Sequence, residues 1–300
     1  MSAPIERLTA FDPFPDQPGA LLRYVVLDVF ADAPLEGNQL AVFLDGRDVP
    51  ERRMQALARE LALSETVFLL PARDPGCELR ARIFTPHVEL PFAGHPVLGA
   101  AAVAARALGL TAVVLETGAG PVPVEVEERT PVASFARMRQ PVPTWRVFER
   151  AGEVLAALGL AASGLPVEEY TNGPRHVYVE APDVDTVASL SPDRSALRAL
   201  GDVGVSCFAR SASGWKTRMF APALGVDEDP ATGSAAGPLA VHLARHGRIG
   251  FDEEIEVVQG VELGRPSRLL ARARGCEQRL EAVEVAGGAV LVAAGAFAGG

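Results

Sequence analysis

Apolar residues recur along this chain in two registers that divide it into short strands and compact helices. The β-branched and aromatic run 24–30 and the apolar run 40–44 predict two strands, joined through turn-forming residues 33–38. Asp48 and Pro50 announce a helix in which Met54, Leu57, Ala58 and Leu61 share one face, ending near Leu63. Further strands are expected at 67–70, 79–84, 113–117 and 122–126, then a helix over 153–160, a turn and strand within 170–179, a helix over 192–200 and a strand over 203–209. The runs 255–261, 269–273, 283–285 and 289–298 read as antiparallel strands finishing the sheets, the last crossing back to the first half.

Two helical segments carry almost no large side chains. Gly94-His95-Pro96-Val97-Leu98-Gly99-Ala100-Ala101 and Gly233-Ser234-Ala235-Ala236-Gly237-Pro238-Leu239-Ala240 each follow an acidic loop, and that loop follows Arg82-Ile83-Phe84-Thr85-Pro86 in one case and Arg218-Met219-Phe220-Ala221-Pro222 in the other. They close alike, on Arg106-Ala107-Leu108-Gly109 and Arg245-His246-Gly247. This is an internal duplication of one supersecondary unit. So many alanines and glycines imply a helix closely surrounded by backbone, threaded through a curved sheet. Two such halves about a pseudo-twofold axis would bring both helix starts to one cleft. The character of the chain changes near 135–143, where the domain crossover is placed.

The candidate chemistry lies at these helix starts. Ser234 can cap the second helix, and Gly233 lets a ligand approach its free N–H groups, a setting that favours an anion. Glu65, in Ser64-Glu65-Thr66, stands between the helix ending near Leu63 and the apolar strand 67–70. It is either a solvated turn residue or a carboxylate directed into a partly desolvated cleft as a general base. His95 before Pro96 is either a packed or capping ring or a catalytic group. The second half has Asp202-Val203-Gly204 where the first has Ser64-Glu65-Thr66, so only one half offers the glutamate. His242 and His246 have zinc-ligand spacing, but Leu243 stands where a zincin needs glutamate, and they are read as helix-end histidines with no metal. Gly118-Ala119-Gly120 lacks the third glycine and the following helix of a dinucleotide loop and is a turn.

Composition narrows the classes. At 300 residues, 48% hydrophobic and 22% charged, the chain suits a packed protein of two domains. A net charge of −10 without a basic run argues against a nucleic-acid surface. Cys77, Cys207 and Cys276 are odd in number and lack metal spacing, which fits a reducing cytoplasm. The longest weakly polar runs, 97–105 and 289–298, fall short of the roughly 20 residues that span a bilayer. The proline-rich residues 1–20 lack the apolar core of a leader and read as a loose extension.

Asp28-Val29-Phe30 with Gly37-Asn38, Leu63-Ser64-Glu65-Thr66, Arg82 to Pro86, Glu89-Leu90-Pro91-Phe92-Ala93-Gly94-His95-Pro96 and Asp229-Pro230-Ala231-Thr232-Gly233-Ser234-Ala235-Ala236-Gly237 resemble the PhzF-like family of the diaminopimelate epimerase-like fold. Gln140 to Trp145, Asn172 to Val177, Arg218 to Phe220, His242 to Gly247 and Gln259 to Ser267 carry the same likeness, which runs from about Tyr24 to the C-terminus. Gln39 departs from the family's usual proline after Gly-Asn.

The resemblance implies an α/β (α+β) fold of two pseudo-symmetric domains, each a curved, mostly antiparallel sheet around a central helix. The expected division is an extension over 1–20, a first domain over 21–135 plus about 288–300, and a second over 136–287, with the active site in the interdomain cleft. It also implies a homodimer that isomerises trans-2,3-dihydro-3-hydroxyanthranilate to an aminoketone, a proton transfer for which no cofactor or metal is expected. By motif, Glu65, His95, Asp229 and Ser234 are the catalytic set, and Gly94, Thr232 and Gly233 line the substrate. Amino-acid epimerases of this fold use two cysteines, and neither helix start here holds one. An isomerase or epimerase acting on another small amino or hydroxy acid, and a non-catalytic dimeric binding protein, are the alternatives.

Overall fold

The computed structural model describes residues 21–298, the loose extension expected over 1–20 lying outside the described residues. The chain forms two compact units, one reaching to Arg139 and resuming at Ala286, the other comprising Gln140–Val285.

In the first unit the elements are β1 (Leu21–Val29), β2 (Asn38–Phe43), α1 (Glu51–Leu61), β3 (Glu65–Pro71), β4 (Leu79–Phe84), β5 (Glu89–Leu90), α2 (Gly94–Leu108), β6 (Ala112–Thr117), β7 (Gly120–Glu128) and β8 (Ala133–Gln140). Most neighbouring strands are antiparallel, while β2–β3 and β4–β6 run parallel. Strands β2 and β3 are buried on both faces, which explains their continuous apolar runs. On one side Met54, Leu57 and Ala58 of α1 pack with Phe43, Phe68 and Phe84. On the other lies α2, touching β1, β2, β3, β4, β6 and β7. Thirteen of the fifteen residues of α2 are buried, and that leaves room only for small side chains. A Cβ on Gly99 would stand 2.6 Å from Leu40 Cδ2 and 2.8 Å from Val29 Cγ2.

The second unit repeats the order with β9 (Thr144–Val147), α3 (Ala151–Leu158), β10 (Glu168–Thr171), β11 (Arg175–Glu180), α4 (Val184–Ser189), α5 (Arg194–Arg198), β12 (Gly204–Arg210), β13 (Trp215–Ala221), β14 (Val226–Asp229), α6 (Gly233–Arg245), β15 (Glu254–Gln259) and β16 (Ser267–Cys276). Here β11–β12 and β13–β15 are the parallel pairs. Helices α3, α4 and α5 bury Val154, Val187 and Leu197 in one cluster with Val177, Val205 and Phe220. Helix α6 is buried at twelve of its thirteen positions, so it answers to the same packing limit as α2. Both small-residue helices end in the same motif. Leu110 N–H reaches Ala105 C=O at 2.9 Å over a left-handed Gly109, and Arg248 N–H reaches Leu243 C=O at 2.8 Å over a left-handed Gly247.

Several boundaries differ from the sequence reading. The runs 283–285 and 289–298 form one twenty-residue strand, β17 (Arg279–Ala298), whose final part pairs antiparallel with β1. No turn former interrupts Val285 to Ala289 strongly enough to break it. The strand expected to reach Val261 stops at Gln259, because Gly260 turns left-handed where a Cβ would collide with the backbone of Pro230 and Arg265. The crossover region expected near 135–143 is itself strand β8, and α4, capped by the Asp183 side chain on Thr186 N–H at 2.7 Å, lacks the apolar period that would announce it.

The packing limit around α2 has a measurable consequence. Gly99→Ala should cost about 1–3 kcal/mol by overpacking. Gly152→Ala, in α3 with nothing within 4 Å of its Cβ position, should stabilise by up to about 1 kcal/mol. Urea denaturation of the two variants gives both values.

Candidate active site

The first unit brings Glu65 and His95 together. Glu65 opens β3 directly after α1, where Ala62 takes a left-handed conformation and ends the helix. Its side chain is 15% exposed, and Oε2 lies 3.4 Å from His95 Nε2. His95 is the second residue of α2 and is buried. Its other ring nitrogen, Nδ1, is 3.3 Å from Asn38 Nδ2, and Asn38 Oδ1 accepts from Ser64 Oγ at 3.2 Å. Burial pushes the His95 pKa down to about 3, against an opposing hydrogen bond with the Gln39 backbone. The ring is therefore neutral at pH 7, with one N–H and one lone pair, and can take up a proton at one nitrogen while releasing one from the other.

The second unit assembles a different set. Asp229 ends β14 and accepts a 2.5 Å hydrogen bond from Thr232 Oγ1. Gln259 ties this turn together, its Nε2 donating to Asp229 C=O at 2.7 Å and to Thr232 Oγ1 at 3.0 Å, while its Oε1 accepts from Thr232 N–H at 3.2 Å. The N-cap of α6 is Thr232, and no side chain caps the helix; Ser234, expected as the cap, lies two residues inside it. Its hydroxyl is instead 3.1 Å from His176 Nε2. The cap position requires an extended backbone ahead of the first turn, and Gly233 already opens that turn.

Helix α6 would be short of donors without long-range help. Pro238 has no N–H, so the Ser234 carbonyl four residues earlier loses its helical partner; Asn172 Nδ2 takes that place at 2.9 Å. Gln140 Nε2 donates to Gly233 C=O at 2.7 Å and Tyr178 OH to Ala235 C=O at 2.7 Å. Gly237 is required here, since a Cβ would collide with Gln140 Oε1. The start of α6 is held by three side chains of its own unit: Gln140, with which the unit begins, Asn172 in the loop after β10 and Tyr178 of β11.

Each acidic loop is clamped in the same way. Arg82 grips Glu89 through Nε and Nη2 at 2.8 and 2.6 Å, and Arg218 grips Glu228 at 2.8 and 2.8 Å. Glu89 and Glu228 both lie five residues before the first residue of their helix. Each guanidinium also stacks over the phenylalanine two residues on, Phe84 at 5.1 Å and Phe220 at 5.0 Å.

His242 and His246 have a role that their spacing did not reveal. Glu168 Oε2 is 3.2 Å from His242 Nδ1, 3.1 Å from His246 Nε2, 2.9 Å from Tyr170 OH and 2.7 Å from Arg245 Nη1. Burial alone would raise the Glu168 pKa, but these donors together hold it well below the usual carboxylate range. The two imidazoles and the carboxylate lie close enough to share a cation. The Arg245 guanidinium already occupies that carboxylate oxygen, so the cluster is a hydrogen-bonded hub anchoring the far end of α6.

These features define a class: an epimerase-like α/β fold whose two small-residue helices open beside acid–base and hydroxyl groups, with neither helix start holding a thiol. The family described as "Phenazine biosynthesis-like protein" matches residues 27–295, and the chain belongs to that family. It is 50% identical over 273 residues, 91% of this chain and 98% of the relative, to the trans-2,3-dihydro-3-hydroxyanthranilate isomerase of Pseudomonas aeruginosa. It is 49% identical, with the same coverage, to the enzyme of that name from Pseudomonas fluorescens. A solved structure of a predicted epimerase from Pseudomonas aeruginosa superposes with a TM-score of 0.79 at 34% identity, over 93% of this chain and 99% of that one.

Two measurements probe this geometry. Burial pushes the pKa of His176 down to about 4 as it pushes that of His95 to about 3. Unfolded histidines bind a proton near pH 6.5, so between that value and the folded pKa the unfolded state holds more protons and stability falls as pH falls. From pH 7 to pH 5 the loss should be about 2 kcal/mol per histidine, and denaturation of His95→Gln and His176→Gln at both pH values should show each variant missing its share. Asn172→Ala, which strands the Ser234 carbonyl, should cost about 1–3 kcal/mol. In a Pro238→Ala background, where a backbone N–H returns, the same change should cost less, and a double-mutant cycle in urea reads the difference.

Proposed function

We propose that this chain is an isomerase that converts trans-2,3-dihydro-3-hydroxyanthranilate to the aminoketone precursor of phenazines by moving a proton from C3 to C1. The observation that carries this reading is the 3.4 Å contact between Glu65 and a buried, neutral His95 in a chain half identical to relatives named for that reaction. Glu65 is the base: it removes the C3 proton, the electrons shift through the conjugated system, and the proton returns at C1 on the same face, directly or by relay. The enol so formed relaxes to the ketone. Proton and electrons balance within the substrate, so the chemistry calls for no redox partner.

His95 and Asp229 hold the substrate's hydroxyl and amino groups and pass protons. Ser234 and the N–H groups at Gly94 and Gly233 receive its carboxylate, acceptor matched to donors at helix starts, and Thr232, engaged with Asp229 and Gln259, lines the site. Glu65, His95, Asp229 and Ser234 act on one substrate molecule in this reading. The enzyme works as a cytoplasmic homodimer on a small molecule, without nucleic acid; among the described residues no helix is long and apolar enough to cross a membrane, and Cys77, Cys207 and Cys276 are free thiols.

Glu65→Gln should lower kcat by about 10²–10⁴-fold while the folded enzyme keeps its KM within a few-fold. Steady-state turnover of the dihydro-hydroxyanthranilate checks this, with sedimentation of the same preparation reporting the dimer. Turnover by the variant at close to the wild-type rate would remove Glu65 from the base role.

A further inference from the structure

His176, on β11, has ring nitrogens in unequal surroundings. Nε2 lies 3.1 Å from Ser234 Oγ, whereas Nδ1 is buried with no hydrogen-bond partner. Beside Nδ1 are the Cα of Gly204, whose missing Cβ would stand 3.1 Å from it, and the Met219 thioether, 3.2 Å from the same Cβ position. A neutral imidazole carries a single N–H. On Nδ1 that proton would be a stranded donor, which folded proteins rarely tolerate; on Nε2 it is satisfied at once by the Ser234 oxygen. The unequal surroundings therefore fix the tautomer with the proton on Nε2.

The tautomer decides what Ser234 can offer. With Nε2–H donating to Oγ, the hydroxyl's own hydrogen is left for another acceptor, and the described residues supply no further hydrogen-bond partner for Oγ. It sits in the first turn of α6 beside the N–H groups of Gly233 and Ser234, which have no intrahelical acceptor, whereas those of Ala235 and Ala236 reach Thr232 C=O. The serine hydroxyl and these two N–H groups are then all donors.

We propose that His176 is a positioning residue which, by donating Nε2–H to Ser234 Oγ, commits the serine hydroxyl as a hydrogen-bond donor to the substrate carboxylate at the start of α6. This rests on the reading of Ser234 as a carboxylate-binding group. His176 itself never touches substrate, so its effect should fall on binding rather than on proton transfer.

The test compares wild type with His176→Leu, His176→Gln, Ser234→Ala and the double variant His176→Leu/Ser234→Ala in steady-state isomerisation of trans-2,3-dihydro-3-hydroxyanthranilate, thermal unfolding being followed in parallel. His176→Leu should raise KM about tenfold with kcat changed less than about threefold, as loss of uniform binding requires. His176→Gln, which keeps an N–H donor at similar reach, should recover most of the KM. In the Ser234→Ala background His176→Leu should add nothing further, because its route through the hydroxyl is gone. Equal KM values for His176→Leu and His176→Gln, multiplying losses in the double variant, or a fall in kcat in place of a rise in KM would each overturn the positioning role. If Ser234→Ala leaves KM unchanged, the carboxylate reading of Ser234 fails and takes this inference with it; if Ser234→Ala raises KM while His176→Leu does not, the inference alone fails.

Discussion

Burying the beginning of a helix is the constraint on which both halves of this protein are built. A helix start carries N–H groups that no residue of the same helix can satisfy, and neither Ala93 nor Thr232 supplies a side-chain cap. Surrounding α2 and α6 with sheet along nearly their whole length forces small residues into the helices and polar residues onto the strands at their openings. Beside α6 Gln259 Oε1 accepts the N–H of Thr232, while Gln140 and Asn172 donate to the carbonyls of Gly233 and Ser234 and His176 meets the Ser234 hydroxyl; beside α2 Asn38, itself held by Ser64, meets the His95 ring. The donors left over make each start receptive to an anion.

The duplicated arginine clamps show how the chain keeps these starts in place. Arg82 with Glu89 and Arg218 with Glu228 are bidentate pairs, Arg218 being almost wholly buried and also donating to the carbonyls of Val187, Ala188 and Leu190. A pair of that geometry fixes direction as well as distance, so the loop delivers the chain to the first helical residue at a set angle. What differs between the halves is the residue that opens the strand ahead of the clamp. In the first half it is Glu65; in the second it is Gly204, which leaves room for the His176 ring beside it. One repeated arrangement thus carries a glutamate in one unit and a histidine-backed serine in the other, the base and the donor cradle of the proposed reaction.

The small-residue helices, the repeated Arg-x-Phe strands and the glycine endings were legible in the sequence because each is a local pattern. Glu65 and His95 were legible as candidates for the same reason: both abut the end or start of a helix that periodicity reveals. The partners were not. Glu168 and His246 are 78 residues apart, and Asn172 and Ser234 are 62 apart; no local spacing announces either contact. Pro238 could have raised the question of what satisfies the Ser234 carbonyl, since a proline inside a helix always strands one acceptor. The misplacement of Ser234 as a cap has a similar origin, for serine favours that position in isolation, and here Thr232 occupies it without using its hydroxyl on the helix.

In the proposed reaction the burial of the histidine beside Glu65 has a chemical use. An imidazolium 3.4 Å away would stabilise the carboxylate in its charged form and blunt its capacity to pull a proton from carbon. Removing water from around His95 makes its charged form costly, so the ring remains neutral and still presents a nitrogen to Glu65. The same desolvation that would destabilise the fold in acid therefore keeps a positive charge away from the carboxylate proposed as the base. In that reading stability in acid and basicity at the reacting carbon are opposed demands on one side chain, and the packing of α2 favours the chemistry.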